Sequence, residues 1–394
     1  MEPDLEPLDE TIQDAGADGY LLHDASANAD VRYLSGFDAP DPFVTLYQPG
    51  TTSLLVSELE YGRARTESRA DVVARYSEYD YQDRVAEHGR HEGAIRTVAA
   101  FLDDRGVEGL LVPKRFPFGT AEGLRDRGLT VDLEVDGVLG EIRAVKHPAE
   151  IEHVRETQAI NQRAMAVAES MIARAEIADG TLVLEGEPLT SERVKQAIEL
   201  ELLENRTALD ETIVAGGEQS ADPHDRGSGP LPANEPIIVD IFPKHKETRY
   251  FGDLTRTFVR GEPTDEVAKR YAVTREAYEA ALGAVEPGVS GEAVHDVACD
   301  VIEEAGYATL RSDPGAETGF IHGTGHGVGL EVHEGPRIAP GGETLEPGHV
   351  ITIEPGLYDP VHGGVRIEDL VVVTEDGYEN LTDYPVDITP HDRE

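Results

Sequence analysis

Apolar residues in the first 145 positions follow strand-like and helical spacing in alternation. Strand-like runs occur at 19–23, 43–47, 53–56, 109–112 and 129–135, and helical spacing occurs at 8–15, at 84–102 and around Ala121. Pro49-Gly50, between two of the strand-like runs, predicts a hairpin. Alternating strands and helices indicate an α/β domain, so we expect residues 1–145 to form a mixed sheet covered by helices.

A second pattern begins at Pro148, which is well placed at the start of a helix. Helices are predicted in two pairs, at 148 to about 178, 190–204, 265–285 and 291–305. A strand-rich segment follows each pair. Residues 146–394 are therefore expected to form a second domain of the α+β class, with an internal duplication.

Four acidic residues interrupt apolar strands of this second domain. Asp240 lies within the predicted strand 236–242, and Asp253 lies within the strand 250–258 that follows it. Glu354 ends the strand 350–354, and Glu368 lies within 365–373. The two acids of each pair are 13 and 14 residues apart. Both segments are interpreted as one hairpin arrangement used twice, with an acid on each strand.

An isolated carboxylate in a buried strand costs several kcal/mol unless it is neutralised, paired or bound to a metal. Arg256 and Arg366 could pair with two of the four acids, which is a purely structural explanation. Two divalent cations would instead balance all four charges. Such a pair of ions, about 3.5–4 Å apart, polarises a carbonyl and activates water at neutral pH. Oxygen ligands with one imidazole suit Mn, Co or Zn.

The segment HGTGHGVGLEVH supplies histidines to the same half of the chain. His322, His326 and His333 alternate with glycines, each of which costs about 1 kcal/mol relative to alanine inside a helix. The glycines would let the backbone come close to another group while the imidazoles point toward it. A neutral imidazole is a common metal ligand. By itself the segment is equally compatible with a glycine-rich loop of exposed histidines.

Charge and composition indicate an environment more than an activity. The net charge is −44, spread along the whole chain, which fits a surface adapted to molar salt, as in halophilic archaea. It argues against nucleic-acid or membrane partners, and periodic apolar segments argue against a disordered acidic chain. With Cys299 as the single cysteine, and with no signal-peptide or membrane-spanning pattern, a cytoplasmic location is expected.

Four motifs follow one another in the second domain: GDLTRTF, HGTGHGVGLEVHE, TIEPGLY and VRIEDLVVV. With ANADVRYLSGF from Ala27 and GEIRAVKHPAEI from Gly140, they resemble the M24 metallopeptidases of the pita-bread fold, in the branch of Xaa-Pro aminopeptidases and prolidases. The resemblance covers nearly the whole chain. It implies a creatinase/prolidase-type α/β N-terminal domain at 1–145 and a pita-bread catalytic domain at 146–394, with an internal pseudo-twofold repeat.

The resemblance assigns a role to each candidate residue. It implies that two divalent metal ions, preferably Mn with Co or Zn as alternatives, are held by Asp240, Asp253, His326, Glu354 and Glu368. Asp253 and Glu368 match the bridging acids. Catalytic or substrate-contacting roles fall to His333 for the tetrahedral intermediate, Glu354 for proton relay, His224 for substrate, and His322 and Arg366 beside the ligands. The Asp240–Asp253 spacing is slightly longer than usual in the family, with the extra residues at 243–249, a predicted hairpin tip.

The implied activity is hydrolysis of a peptide bond after a free N-terminal residue, preferentially before proline. A peptide is therefore the expected partner, and the family favours a homodimer. Two alternatives keep the fold: a metal-free creatinase-like C–N hydrolase, and a non-catalytic pseudo-peptidase that binds a partner. A methionine aminopeptidase is disfavoured because that branch usually lacks this N-terminal domain.

His88 and His91 are a further pair of histidines, on the predicted helix 84–102. Their i, i+3 spacing would place them on one face of that helix. With no strand-borne acid nearby in sequence, they are interpreted as a solvated face and not as a metal site.

Overall fold

Hydrophobic side chains collect into separate cores on the two sides of Arg143. In a computed structural model that describes residues 3–393, the chain divides into one unit up to Arg143 and a second from Ala144. Leu8, Phe37 and Leu139 belong to a core of the first unit, and Val214 belongs to a core of the second.

The first unit is built on a mixed sheet with strand order β4-β3-β2-β1-β5-β6. The strands are β1 Gly19–Asp24, β2 Phe43–Gln48, β3 Thr51–Val56, β4 Val72–Arg75, β5 Gly109–Pro113 and β6 Thr130–Glu134. The helices are α1 Glu6–Asp14, α2 Ala29–Ser35, α3 Tyr61–Glu67, α4 Tyr81–His88, α5 Arg90–Asp103, α6 Phe118–Arg125 and α7 Val138–Ala144. Tyr20 and Leu22 of β1 enter one core while Leu21 enters another, so both sheet faces are covered. The predicted α/β class is confirmed.

The predicted single helix at 84–102 is wrong in one respect, because Gly89 divides it. Gly89 has φ 82°, outside the helical region, and it separates α4 from α5. His88 therefore ends one helix and His91 lies in the next, so the expected shared face does not exist. The sequence patterns also missed α2, α3 and β4, which are short elements.

The second unit contains the two predicted pairs of helices. They are α8 Pro148–Arg174, α9 Ser191–Glu204, α10 Asp265–Gly283 and α11 Gly291–Glu304. The side chains of Thr190, Thr264 and Ser290 cap the last three of them by accepting a backbone N–H of the first turn. Within residues 3–393, no helix is long and apolar enough to cross a membrane.

The strands of the second unit form two larger sheets that are joined by a β-bridge. The strands are β7 Glu176–Ala178, β8 Thr181–Leu184, β9 Glu187–Pro188, β10 Thr207–Ala208, β11 Thr212–Gly216, β12 Ile237–Ile241, β13 Lys244–His245, β14 Leu254–Phe258, β15 Gly325–Gly327, β16 Glu334–Ile338, β17 Val350–Ile353, β18 Gly356–Asp359, β19 Gly363–Arg366, β20 Asp369–Thr374 and β21 Gly377–Asn380. The sheet orders are β11-β12-β14 and β16-β15-β17-β20-β21. An antiparallel bridge between Thr255 and Glu368 joins the two sheets.

This topology contains the predicted internal repeat. Helices α8 and α9 pack on β11, β12 and β14, and their apolar residues share one core. Helices α10 and α11 pack on the sheet that contains β17 and β20, around a second core. The order of two helices followed by antiparallel strands thus occurs twice, and the two copies meet at the Thr255–Glu368 bridge.

Two predicted strands differ from the structure. The segment 365–373 splits into β19 and β20, which belong to different sheets, because the hairpin of β18 and β19 is inserted between β17 and β20. The segment 250–258 becomes a strand only at Leu254. The predicted hairpin tip at 243–249 contains β13, which pairs with β10 and so accommodates the extra residues between Asp240 and Asp253.

Candidate metal centre

The four strand acids meet at the junction of the two sheets. Asp240 lies in β12, Asp253 immediately precedes β14, and Glu354 immediately follows β17. Ile353 pairs with Asp369, so Glu354 and Glu368 are the next opposed positions across β17 and β20. The Thr255–Glu368 bridge then brings this second pair beside the first.

Arginine pairing explains only one of these buried charges. Arg366, 4 % exposed, donates from Nη2 to Asp240 Oδ2 at 2.5 Å. Arg256 forms an ion pair with Asp369 at 2.8 Å. It donates to the backbone carbonyl of Glu368 and not to the Glu368 carboxylate. Among residues 3–393, the purely structural explanation therefore leaves the carboxylates of Asp253, Glu354 and Glu368 without an arginine in an ion pair.

Neutral groups hold these carboxylates in place without neutralising them. Thr255 donates its hydroxyl to Glu368 Oε2 at 2.6 Å, and Thr352 donates to Glu354 Oε1 at 3.2 Å. Gln158 anchors the backbone of Asp253 at both its N–H and its carbonyl. Within residues 3–393, buried Asp240 Oδ1 has no hydrogen-bond partner. A buried acceptor in that state costs free energy unless a ligand is present.

His326 completes a set of donor atoms from β15. Its Nδ1 lies 3.1 Å from the carbonyl oxygen of Gly327, which assigns the proton to Nδ1. Nε2 is then free to face the acids, at 3.3 Å from Glu354 Oε1 and 3.8 Å from Asp253 Oδ2. A backbone carbonyl that fixes the tautomer in this way is typical of a metal-binding histidine.

These donors fit divalent cations. Ligand atoms of Asp253, His326 and Glu368 all lie within 4.8 Å of one another. Glu354 joins this set through His326, and Asp240 contributes the unpaired Oδ1. All five side chains line one cavity of about 720 Å³. Four carboxylates and one imidazole form a ligand set rich in hard oxygen donors, which suits divalent cations.

The other predicted histidines line the same cavity. His333 packs edge-on to His326, with ring centroids 4.3 Å apart. His322 is held between the carbonyl of Gly323 at 2.6 Å and the hydroxyl of Tyr358 at 2.9 Å. His224 is exposed at the cavity wall.

Two glycines of the histidine segment allow a close approach of neighbouring strands. A Cβ on Gly325 would lie 2.0 Å from the carbonyl oxygen of Thr352 in β17. A Cβ on Gly327 would lie equally close to the carbonyl oxygen of Gly335 in β16. The expectation of close backbone approach was right, but the group approached is the neighbouring backbone.

Sequence reasoning missed several residues that position the site. Tyr358, fully buried, accepts from Arg366 Nη1 at 2.8 Å and so connects that residue to His322. Thr255 and Gln158 also hold predicted ligands, as described above. The only available signal was a polar group inside an apolar strand or helix face, which is too common to single these residues out.

Without bound metal, the clustered acids and His326 shift one another's pKa values strongly. Burial disfavours the imidazolium of His326, but the hydrogen bond to Glu354 and the charges of Glu354 and Asp253 raise its pKa to about 9. Burial likewise disfavours the Glu354 carboxylate, but His326 lowers its pKa to about 2. Burial and then the neighbouring carboxylates raise the pKa of Asp253 and of Glu368 well above the usual range.

A pH-dependent stability of the chelated protein follows from these shifts. Because the folded-state pKa of His326 is raised, its stabilisation is complete below pH 6.5 and is lost as pH rises to about 9. The pKa values of Asp253 and Glu368 are also raised, so the loss of their protons as pH rises acts in the same direction. We therefore expect the melting temperature with a chelator to fall between pH 6.5 and 9. The contribution of His326 to the free energy of unfolding that is lost over this range is about 3 kcal/mol.

Calorimetry with and without added metal checks this expectation. Metal should abolish the pH dependence because a cation replaces the proton on His326. His326→Gln should flatten the curve in chelator, whereas His391→Gln, at an exposed histidine, should not. A chelated protein that becomes more stable over this range would contradict the proposed electrostatics.

Models of two known families match the chain. The model of metallopeptidase family M24 matches residues 152–375, and that of the creatinase/prolidase N-terminal domain matches residues 5–145. These matches confirm the predicted fold, with an N-terminal domain of the creatinase type before an M24 catalytic domain.

Individual relatives extend over nearly the whole chain. An Xaa-Pro dipeptidase from Pyrococcus furiosus is 32 % identical over 355 residues, which cover 89 % of this chain and 90 % of the relative. The prolidase structure from Pyrococcus horikoshii superposes with a TM-score of 0.79 at 27 % identity, covering 98 % and 99 % of the two chains. The X-Pro aminopeptidase structure from Thermotoga maritima gives a TM-score of 0.77 at 26 % identity, with 97 % and 99 % coverage.

Proposed function

This chain belongs to metallopeptidase family M24, and from that premise we propose that it hydrolyses the peptide bond after a free N-terminal residue, preferentially before proline. The observation that carries the proposal is the single cavity in which the donor atoms of Asp253, His326 and Glu368 lie within 4.8 Å of one another. Relatives named Xaa-Pro dipeptidase, at 31–32 % identity, support the choice of substrate.

Two divalent cations are the proposed cofactor, preferably Mn with Co or Zn as alternatives. Asp240, Asp253, His326, Glu354 and Glu368 would hold them. When bound, such ions polarise the scissile carbonyl and supply a nucleophilic water at neutral pH. The protein contributes a fixed and buried ligand set, so the charge developed in the transition state meets donors that are already oriented.

The remaining residues of the cavity bind substrate and move protons. His333 donates to the oxygen on which negative charge develops, and burial together with His326 lowers its pKa, so a neutral imidazole N–H is the donor. Glu354 carries a proton toward the leaving nitrogen, with Oε1 held by Thr352. His224, exposed at the wall, contacts the peptide. Arg366 fixes Asp240 and, through Tyr358, His322.

One assay tests this proposal against its rivals. The protein is loaded with Mn, Co or Zn in molar KCl and given Xaa-Pro dipeptides, Xaa-Pro-Xaa tripeptides and creatine, while bound metal is measured. Metal-dependent cleavage of the Xaa-Pro bond supports the proposal. Cleavage of dipeptides alone identifies a dipeptidase, and cleavage of tripeptides identifies an aminopeptidase. Creatine hydrolysis without metal, or no turnover of any peptide, would contradict it.

We propose that the acidic surface is an adaptation to a saline cytoplasm. We also propose that the chain acts as a homodimer. The net charge of −44 repels itself strongly when the Debye length is about 10 Å, at 0.1 M salt, and weakly when it is about 3 Å, at 1 M. We expect the melting temperature to rise by roughly 10 °C from 0.1 to 2 M KCl.

Two measurements check these expectations. Sucrose at equal osmolality is the control for the melting experiment, because it favours the compact state without screening charge. An equal rise in sucrose would contradict charge screening. Sizing in 2 M KCl should give twice the mass of the chain, and elution at the mass of one chain would contradict the dimer.

A further inference from the structure

The segment that carries His333 is anchored by backbone bonds over its first half. It links β15, which ends at Gly327, to β16, which begins at Glu334. Val328 N–H donates to the carbonyl of Val350 at 2.9 Å, and the carbonyl of Gly329 accepts from Phe251 N–H at 2.9 Å. His333 lies at the far end of this segment, next to the first residue of β16.

A buried ion pair holds that far end. Lys146 Nζ lies 2.5 Å from Glu334 Oε1, and the two side chains are only 1 % and 3 % exposed. The Glu334 carboxylate also rests against the Gly329 turn, where a Cβ would lie 2.2 Å from Oε1. One carboxylate therefore contacts both Lys146 and the start of the segment, and it belongs to the residue that follows His333.

Lys146 is itself fixed by the second sheet. Its backbone N–H donates to the carbonyl of Gly348 at 3.0 Å, and Val145 forms a β-bridge with His349. His349 is buried and lies close enough to Lys146 to feel its charge. Its Nδ1 accepts the backbone N–H of Glu346, so this imidazole is neutral, and Glu334 carries the charge that opposes Lys146. The ammonium group of Lys146 is therefore fixed in place, and through Glu334 it holds the end of the segment that carries His333.

Stability is a weak explanation for such a pair. Desolvation of two buried charges offsets most of their attraction, and apolar residues of similar volume often stabilise a fold as well or better. What a buried pair does supply is one fixed geometry. A displacement of about 1 Å at a catalytic group can lower turnover about 10²-fold.

We propose that the Lys146–Glu334 ion pair positions His333, holding its imidazole against His326 and in line with the oxygen that it stabilises. This inference rests on the proposed peptidase function. Lys146 and Glu334 are positioning residues here, because they act through His333 and line no part of the cavity.

A double-mutant cycle tests the inference. Lys146→Met should lower kcat about 10- to 100-fold, with KM changed by no more than about twofold and with metal content unchanged. In a His333→Ala background the same substitution should change kcat by less than about twofold, because the group it positions is gone. An equal loss of kcat in both backgrounds would overturn the proposal.

Two further variants distinguish a loss of His333 positioning from a general loss of stability. Lys146→Met with Glu334→Gln removes both charges, so it should recover the melting temperature lost in Lys146→Met while kcat stays low. Recovery of kcat together with stability would overturn the proposal. Arg393→Met is the matched control, since it breaks another ion pair with a buried acid, Glu169, away from the cavity, and should lower the melting temperature without lowering kcat.

Amide hydrogen exchange tests the same inference without turnover. In Lys146→Met, residues 327–334 should exchange faster, while β17 and β20 stay protected. Unchanged exchange in 327–334 would overturn the proposal. If the metal-loaded parent cleaved no Xaa-Pro peptide, the proposed function would fail, and this exchange measurement would still decide whether the pair holds the segment.

Discussion

Replacing Glu368 by alanine is expected to remove bound metal and Xaa-Pro hydrolysis together. Glu368 is 2 % exposed, its donor atom groups with those of Asp253 and His326, and the family resemblance places it between the two ions. Loss of one electrostatic donor typically costs about 10²–10³ in kcat, and loss of a residue proposed to hold the metal ions should exceed that.

The variant should remain folded, which makes the result interpretable. Burial and the neighbouring acids raise the pKa of Glu368, so at neutral pH the folded, chelated protein must either protonate this carboxyl group or bury its charge, and both cost stability. Its removal should therefore leave the melting temperature in chelator equal to or above that of the parent. Metal content, turnover and melting are measured together, with Glu375→Ala at an exposed acid as the control. Full metal content with full activity in Glu368→Ala would refute the ligand assignment.

His333→Ala is expected to lower kcat by about 10²–10³ while both metal content and the melting temperature stay near those of the parent. His333 contacts the His326 ring but is not among the grouped donor atoms, so its loss should not release the cations. KM should change little, because a donor to developing charge acts mainly in the transition state.

The matched control for this variant is His391→Ala, at an exposed histidine in the same unit. Its kcat should equal that of the parent. Normal turnover by His333→Ala would remove the proposed role. Loss of metal from that variant would instead assign His333 to the ligand set.

Local sequence patterns predicted an element or a site correctly where the residue type itself strongly restricts the structure. Apolar periodicity predicted the two pairs of helices and the central strands, and Thr190, at the start of a predicted helix, caps it in the structure. Acids within apolar strands predicted a charged cluster because burial of unpaired carboxylates is costly. The family motifs then supplied the pita-bread class, which the comparisons confirmed.

Errors arose where one glycine or one insertion changes the path of the chain. Gly89 ends α4 through a positive φ, and the periodicity of apolar residues continues across it. Glu368 was placed within one long strand, but the hairpin of β18 and β19 divides that segment between two sheets. Propensity patterns do not distinguish a continuous strand from two strands with the same apolar content.

The sequence by itself determined which side chains could form a metal centre, because the charge and ligand chemistry of Asp, Glu and His belong to the residues. Only the tertiary structure decided how these groups are arranged. The Thr255–Glu368 bridge joins residues 113 positions apart, and the pairs Arg366–Asp240 and Lys146–Glu334 span the catalytic unit. Such contacts depend on how segments distant in the chain pack against one another, which the local spacing of residues does not specify.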